Sequence, residues 1–382
     1  MIQLKEWQQE AWDKFLLNKE CGIIEASTGS GKTVLGLHLI KQNIPKKILI
    51  VVPTCVLLRQ WHTEIQDKLK IYNIGLYGDG FKDERCITIA VVNSIRYLEL
   101  QYDILICDEA HRYLSSENRK FLENNTFKKI MCLTATLKRE DNLTYDFLNL
   151  KTIYTYNIKE AIENKDLCKY ELINVAVSLN EVEKEEYTKQ DILVKQLMPF
   201  FNNNIQQVFS PPWSYQKKQL RTAINTRKSI VNNARNKILH GCSCIKYNYQ
   251  MARKIIVFCE LISTAEDIKL LLEANDVNVV CYYGGKKDKG VINLFSKEHY
   301  VLITVKALDE GLNVKNCDTA VIISGNSSKR QAIQRVGRVL RAKDLTAQIY
   351  QFYCKNTVDE QYMRKRSEGL LGASKISHYN RL

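Results

Sequence analysis

The 382-residue sequence predicts an α/β protein of two doubly wound parallel-sheet domains in series, with a basic helical segment inserted near their junction. Three observations predict it. Short β-branched apolar runs alternate with amphipathic stretches over the first 135 residues, and small polar clusters sit directly after several of those runs. A second series of such runs begins near residue 255. Between the two series lies a long stretch with no acidic residue. With 45% of residues apolar, the chain is long and greasy enough to build two cores.

In order, residues 4–17 place Leu4, Trp7, Ala11, Trp12 and Phe15 at helical spacing, which predicts an amphipathic helix. The apolar run Cys21 to Ala26 predicts a strand, the following small-residue loop opens a helix over Thr33 to Lys41, and Ile48 to Val52 reads as a buried parallel strand. A helix over Leu57 to Leu69 follows, then strands at Ile87 to Val92, Ile104 to Cys107 and Ile130 to Leu133. Second-series strands are predicted at Ile255 to Cys259, Val277 to Cys281, Val301 to Thr304, Ala320 to Ile323 and Ile349 to Tyr353. This divides the chain into a first domain over 1–155 and a second over 156–382, with the basic insertion at about 185–245.

The formal net charge of +14 points to a polyanionic partner, with nucleic acid ahead of an acidic membrane surface. Residues 192–259 lack Asp and Glu and carry eleven Lys and Arg, among them Lys217, Lys218, Arg221 and Arg227. Phe200, Phe201, Phe209, Trp213 and Tyr215 are interleaved with them, as a nucleic-acid surface requires; the alternative is a helical insertion with aromatics packed inward and charges merely solvated. No run approaches the roughly 18 apolar residues of a membrane span, and the N-terminus has no signal-peptide core, so the chain reads as soluble and intracellular. The twelve cysteines contain no Cys-x-x-Cys, and His240, Cys242 and Cys244 match no common zinc spacing.

The chemistry starts at Ala26 to Thr33, reading Ala-Ser-Thr-Gly-Ser-Gly-Lys-Thr after a strand and before a helix. Such a loop aims backbone N–H groups and a helix dipole at one point, which cradles phosphate. Thr28, Gly29, Ser30 and Gly31 form the cradle, Lys32 reaches the β- and γ-phosphates, and the Thr33 hydroxyl holds Mg²⁺. Ala26 stands where the general pattern has glycine, so the strand and helix context carries the reading. Asp108 and Glu109 emerge together after the run Ile104 to Cys107; Asp108 suits Mg²⁺ and Glu109 suits polarising an attacking water. Coupled to the phosphate loop, the pair predicts nucleotide hydrolysis.

Taken together, Gln8, the phosphate loop, Val52-Pro53-Thr54, Asp108-Glu109-Ala110-His111, Thr134-Ala135-Thr136, Asp309-Glu310-Gly311 and Gln334 to Arg341 resemble the ordered motif set of superfamily 2 helicases, of Asp-Glu-Ala-His type. Within that superfamily the sequence looks like the XPB-like DNA helicases and translocases and their viral relatives of the UvsW kind. Arg139-Glu140-Asp141 is similar to their Arg-Glu-Asp element, Leu308 to Asn313 to their motif V, and the basic insertion stands where they carry a thumb.

The resemblance implies two tandem RecA-like domains, ATP and Mg²⁺ as cofactors, DNA as partner and 3'–5' movement on duplex or branched DNA. It gives Gln8 the adenine, and His111, Thr134 and Thr136 the coupling of hydrolysis to movement. Arg338 and Arg341, three apart on one helix face, become arginine fingers, and Gln334, Glu310 and Gly311 complete the ATP site. Pro53, Thr54, Asn93, Ser94, Arg139 and Thr304 are expected to meet nucleic acid.

Trp7 beside Glu6 replaces the Arg-Pro-Tyr usual before the glutamine, and Asn313 replaces the usual Asp of motif V. The sequence opens at the glutamine motif, so the N-terminal damage-recognition domain of cellular XPB-like proteins is not expected. A compact viral or phage enzyme of recombination or fork repair fits that length by analogy. An RNA helicase, and a nucleic-acid-anchoring subunit with incidental hydrolysis, are the two other readings.

Overall fold

The computed structural model describes residues 2–137, 143–284, 289–298, 300–305, 317–325, 328–340, 345–370 and 372–380. The chain forms two compact units, the first comprising residues 1–167 with the short segment Ile333–Arg338, the second most of the remainder.

The first unit holds β1 (Cys21–Ala26), β2 (Ile48–Val52), β3 (Ile74–Gly78), β4 (Phe81–Lys82), β5 (Ile87–Val91), β6 (Ile104–Asp108), β7 (Lys129–Thr134) and β8 (Thr152–Tyr156). Their order in the sheet is β4-β3-β5-β2-β6-β7-β1-β8, with only the short β4 antiparallel. β2, β5 and β6 are buried at every residue, which is why they read as continuous apolar runs: a strand covered on both faces has no reason to alternate. The connecting helices are α1 (Glu6–Leu17), α2 (Lys32–Asn43), α3 (Cys55–Leu69), α4 (Val92–Ile95), α5 (Ser116–Glu123) and α6 (Ile158–Glu163). Every strand predicted for this unit is present. β3, β4 and β8 were not predicted: β3 and β4 lie toward one edge, with two glycines in β3, and β8 is a partly exposed edge strand without a dense apolar run.

The second unit holds β9 (Tyr170–Val177), β10 (Ile255–Cys259), β11 (Val279–Tyr282), β12 (Val301–Val305), β13 (Thr319–Ile322), β14 (Ala347–Cys354) and β15 (Lys375–Asn380). Their order is β11-β12-β10-β13-β14-β9-β15, with every described pair parallel. Its helices are α7 (Glu181–Leu197), α8 (Ile205–Val208), α9 (Tyr215–Asn232), α10 (Arg235–Gln250), α11 (Ile262–Glu273), α12 (Lys289–Lys297) and α14 (Val358–Glu368), while α13 (Lys329–Val339) starts in this unit and its residues Ile333–Arg338 count with the first. β9 comes early in the chain yet pairs with β14, so the second sheet starts some 80 residues before the first strand the sequence predicts for it.

The basic stretch is helical as expected, and it divides in two. Val231, Ala234, Ile238 and Ile245 are built into the core against β10 and β13, so α10 is a layer of the second unit. The portion with a small core of its own is α7 to α9, where Val194, Val208, Leu220 and Ala223 are buried together. Among the described residues no helix is long and apolar enough to cross a membrane.

Packing between α2 and α3 bears on the site described below. Gly36 on α2 leaves room for the Trp61 ring on α3; a Cβ there would lie 2.5 Å from Trp61 Cη2. Trp61 is 1% exposed and cannot swing away. Gly36→Ala is expected to cost about 1–3 kcal/mol in equilibrium unfolding through overpacking. A denaturation midpoint equal to wild type would show that the ring can give way.

Candidate nucleotide site

The phosphate loop is shaped by two glycines. Gly29 has φ +91° and Gly31 φ +106°, conformations that a side chain resists, and Gly31 is the residue from which α2 springs. The first turn of α2 therefore presents its unpaired N–H groups at the carboxyl end of β1, one strand in from the β8 edge of the sheet. Lys32 is 9% exposed and its Nζ donates to Ala26 O at 2.6 Å and Ser27 O at 3.3 Å, curled over the loop. Ser30 Oγ donates to Ser27 O at 2.8 Å. The hydroxyls of Ser27 and Thr28 are buried and have no hydrogen-bond partner among the described residues. Two buried donors left unsatisfied in a loop rich in N–H groups are a place for phosphate oxygens. Thr33 is half-buried on the first turn of α2.

Asp108 ends β6, two strand positions from β1 with β7 between them. Burial raises its pKa; against that, Trp61 Nε1 donates to Oδ2 at 2.8 Å, the Lys32 charge acts on it, and Glu109 N–H donates to Oδ1 at 2.9 Å. The carboxylate is thus held dry, near a lysine, with one oxygen braced by an indole: suited to an Mg²⁺ carried by phosphates. Glu109 has φ +52° and ψ +50°, a left-handed conformation costing a non-glycine residue about 1–2 kcal/mol. That single reversal turns adjacent carboxylates in different directions, which two separate roles require.

The turn continues into His111, which is fully buried. Its Nδ1 lies 3.0 Å from Thr134 Oγ1 and 3.5 Å from Glu109 Oε2, and Thr134 Oγ1 in turn donates to Thr136 O at 3.0 Å. Because the Thr134 proton goes to Thr136, the threonine oxygen accepts, and the imidazole carries its proton on Nδ1. His111, Thr134 and Thr136 are therefore one chain of hydrogen bonds that reaches Glu109. Within the same unit, Gln334 Nε2 is 3.4 Å from Glu109 Oε2.

Gln8 is buried at 1% exposure, with both ends of its amide engaged: Oε1 accepts from Lys5 N at 2.9 Å and Nε2 donates to Gly31 O at 3.1 Å. It ties the start of α1 to the phosphate loop, and each amide end keeps capacity for a base. Trp7 stacks on Tyr156, ring centroids 4.7 Å apart and 10° from parallel. Two residues escaped the sequence reading. Trp61 looked like any core aromatic of an amphipathic helix. Glu25, on β1, accepts from Leu137 N at 2.5 Å and so holds the end of the Thr134 to Thr136 turn; its only signal was a carboxylate inside an apolar strand.

The expected nucleic-acid contacts are dispersed. Thr54 caps α3, its Oγ1 accepting from Leu57 N at 3.3 Å, and Pro53 beside it is half-buried. Asn93 and Ser94 are exposed at the end of β5, Asn93 bonded to Arg96. Thr304 is 1% exposed, its hydroxyl without a hydrogen-bond partner among the described residues. On α9, Arg221 lies over the Trp213 ring at 4.6 Å and the Phe209 ring at 5.3 Å, Lys217 donates to Ser210 O at 2.9 Å, and Lys218 is exposed. Arg227 is committed to Asp191 at 2.6 Å. Arg139, Glu310, Gly311 and Arg341 lie outside the described residues, as does the side chain of Arg338 on α13.

Residues 1–139 match the family described as "Type III restriction enzyme, res subunit", and residues 235–343 the "Helicase conserved C-terminal domain". The chain is 31% identical to the DNA 3'-5' translocase XPB2 of Sulfurisphaera tokodaii over 388 residues, 96% of this chain and 85% of that protein. This chain belongs to the superfamily 2 helicases. Putative helicase 22 of a Sulfolobus islandicus filamentous virus is 25% identical, over 84% of this helicase and 58% of that protein. The TFIIH helicase/translocase subunit XPB of Enterocytozoon bieneusi is 22% identical, over 96% and 61% respectively. The helicase domain of Pyrococcus furiosus Hef superposes with a TM-score of 0.63 at 17% identity, covering 96% of this chain and 98% of that one. The likeness establishes the tandem RecA-like fold. As a member of this family the helicase is a nucleic-acid-dependent ATPase.

Trp61→Phe keeps the ring and removes the donor to Asp108. A hydrogen bond to a charged group contributes about 1.5–3 kcal/mol, so ATP turnover is expected to fall at least about tenfold while near-ultraviolet circular dichroism stays native. Turnover within twofold of wild type would mean that Asp108 does not depend on the indole.

Proposed function

We propose that this helicase is an ATP-dependent DNA translocase or helicase that moves 3'–5' on duplex, forked or branched DNA. The observation that most supports hydrolysis is the buried Asp108 beside the Lys32 loop, with Glu109 turned away from it in a left-handed conformation. Identity to a protein named DNA 3'-5' translocase supports DNA and that polarity.

In this reading Thr28, Gly29, Ser30, Gly31 and Lys32 bind the ATP phosphates and Gln8 contacts the adenine. Thr33 and Asp108 fit Mg²⁺, a hydroxyl and a carboxylate beside the phosphate cradle; bound there, the ion offsets charge on the β- and γ-phosphates. Glu109 takes a proton from the attacking water. Arg338 and Arg341 neutralise charge that develops on the γ-phosphate, and Gln334, Glu310 and Gly311 complete the site. The hydrogen-bond chain His111–Thr134–Thr136 begins at the base and ends at the turn after β7, a route by which hydrolysis state reaches nucleic-acid contacts. Those contacts are Pro53, Thr54, Asn93, Ser94, Arg139 and Thr304, with Lys217, Lys218 and Arg221 on α9. Arg227, already paired, contributes through α7–α9 packing. Service in DNA repair or recombination, and a viral or phage origin, complete the reading; an XPB subunit named for DNA repair and one viral protein named a putative helicase among the relatives support it.

Two measurements test it. ATPase rates on duplex, forked and four-way DNA beside matched RNA are expected to rise most on DNA, and Glu109→Gln is expected to lower them by about 10²–10⁴-fold with ATP binding intact. Equal or greater stimulation by RNA would make this an RNA-remodelling enzyme. Complementation by Glu109→Gln would make it an anchoring subunit.

The triple change Lys217→Ala, Lys218→Ala, Arg221→Ala is expected to weaken DNA binding and to reduce the slope of log K against log salt by about 0.9 per lost phosphate contact on duplex DNA, with ATP binding unchanged. An unchanged slope would place the DNA elsewhere.

A further inference from the structure

The C-terminal helix α14 follows the residues matched by the helicase family descriptions, and none of the motifs falls on it. It nevertheless contains a buried charge cluster. Lys237 and Asp359 are 0% exposed and Arg366 is 2% exposed. Lys237 Nζ, from α10, donates to Asp359 Oδ2 at 2.7 Å and to Val231 O at 2.8 Å, while Asp359 Oδ2 also accepts from Cys354 N at 3.1 Å. Arg366 Nη2 lies 3.7 Å from Asp359 Oδ1, and Arg366 Nε donates to Gln351 Oε1 on β14 at 3.1 Å. Gln351 is fixed in turn by Asn174 on β9 and Ser367, both at 3.2 Å.

Charges taken this far from water rarely repay their desolvation when compared with an apolar core. Stability alone is a weak reason for them, and their geometry shows where the cluster points. Arg366 Nη1 donates to Gly325 O at 3.0 Å. Gly325 stands between β13 and α13, the helix that carries Gln334 and Arg338.

Two further contacts hold the start of α13 against the same end of α14. Lys329 pairs with Glu368 at 2.5 Å, and Gly369 packs so close to Lys329 that a Cβ would lie 3.0 Å from its carbonyl oxygen. The other end of α14 is anchored as well, since Val358 N donates to Tyr187 Oη on α7 at 2.7 Å. The helix is thus fixed at its N-terminus by α7 and α10 and holds the entry to α13 at its C-terminus.

We propose that Arg366 is a positioning residue for ATP hydrolysis: by gripping Gly325 O it sets where α13 begins, and hence where Gln334 and Arg338 stand. The proposal rests on the reading of α13 as the arginine-bearing helix of the ATP site. Transition-state stabilisation depends steeply on donor placement, so a loosened α13 lowers kcat while ground-state ATP binding, made by the phosphate loop, is kept.

The test uses the full chain with Arg366→Gln, Arg366→Lys and, as a surface variant safe for folding, Lys329→Ala with Glu368→Ala. Arg366→Gln is expected to lower DNA-stimulated kcat by about ten- to a hundredfold with KM for ATP within about twofold, and Arg366→Lys, which keeps one donor to Gly325, is expected to recover most of the loss. The surface double variant is expected to lower kcat by a few-fold. Hydrogen exchange is expected to quicken in peptides covering 320–335 in Arg366→Gln and not across the other peptides of the chain. Wild-type kcat in folded Arg366→Gln, or exchange that quickens everywhere alike, would overturn the proposal. Arg338→Ala separates the two readings: if it keeps full ATPase activity, the assignment of α13 falls, and the exchange at 320–335 still decides whether Arg366 holds that segment.

Discussion

A carboxylate kept dry is the constraint around which the first unit is built. Asp108 sits at the end of a strand buried at every residue, and an ionised group there survives only with donors aimed at it. The indole of Trp61, the backbone N–H of Glu109 and the nearby charge of Lys32 supply them. Each donor imposes a condition elsewhere. The indole needs α3 close to α2, which Gly36 permits; the Glu109 N–H needs the left-handed turn; and Lys32 needs the two glycines that bend the loop back over the end of β1.

The left-handed Glu109 has the wider consequence. Once the chain reverses there, His111 is carried into the core beside Thr134 on the neighbouring strand β7, and the imidazole tautomer follows from Thr134 donating onward to Thr136. Glu109, His111 and the turn after β7 become one connected unit. Glu25 closes the same turn from β1. Such a network is stiff because these groups hold one another in place, and stiffness is what electrostatic stabilisation of a transition state demands.

Charge in the second unit divides by the same logic into solvated and buried. A run of eleven cations without an anion looks uniform in sequence, yet the fold assigns its members different work. Arg221 lies between two aromatic faces, Lys218 is exposed, Arg227 is paired with Asp191, and Lys237 is buried against Asp359. The stretch also ends inside the second core instead of beyond it, since α10 lies against the sheet.

The sequence by itself determined the parts in which chemistry and backbone are contiguous: ten of the strands, the phosphate loop and the Asp108–Glu109 pair could be read because a buried strand followed by a polar cluster is written in consecutive residues. Edge strands such as β8 and β15 were silent, being largely exposed and polar, and β9 was silent because Glu171 and Asn174 interrupt its apolar run. Only the tertiary structure decided that Trp61 braces Asp108 across 47 residues, that Lys237 meets Asp359 across 122, and that Arg366 reaches back 41 residues to Gly325. The physical reason is the same in each case: a side chain's partner is set by which elements pack together, and burial, which makes that partnership obligatory, has no local signature.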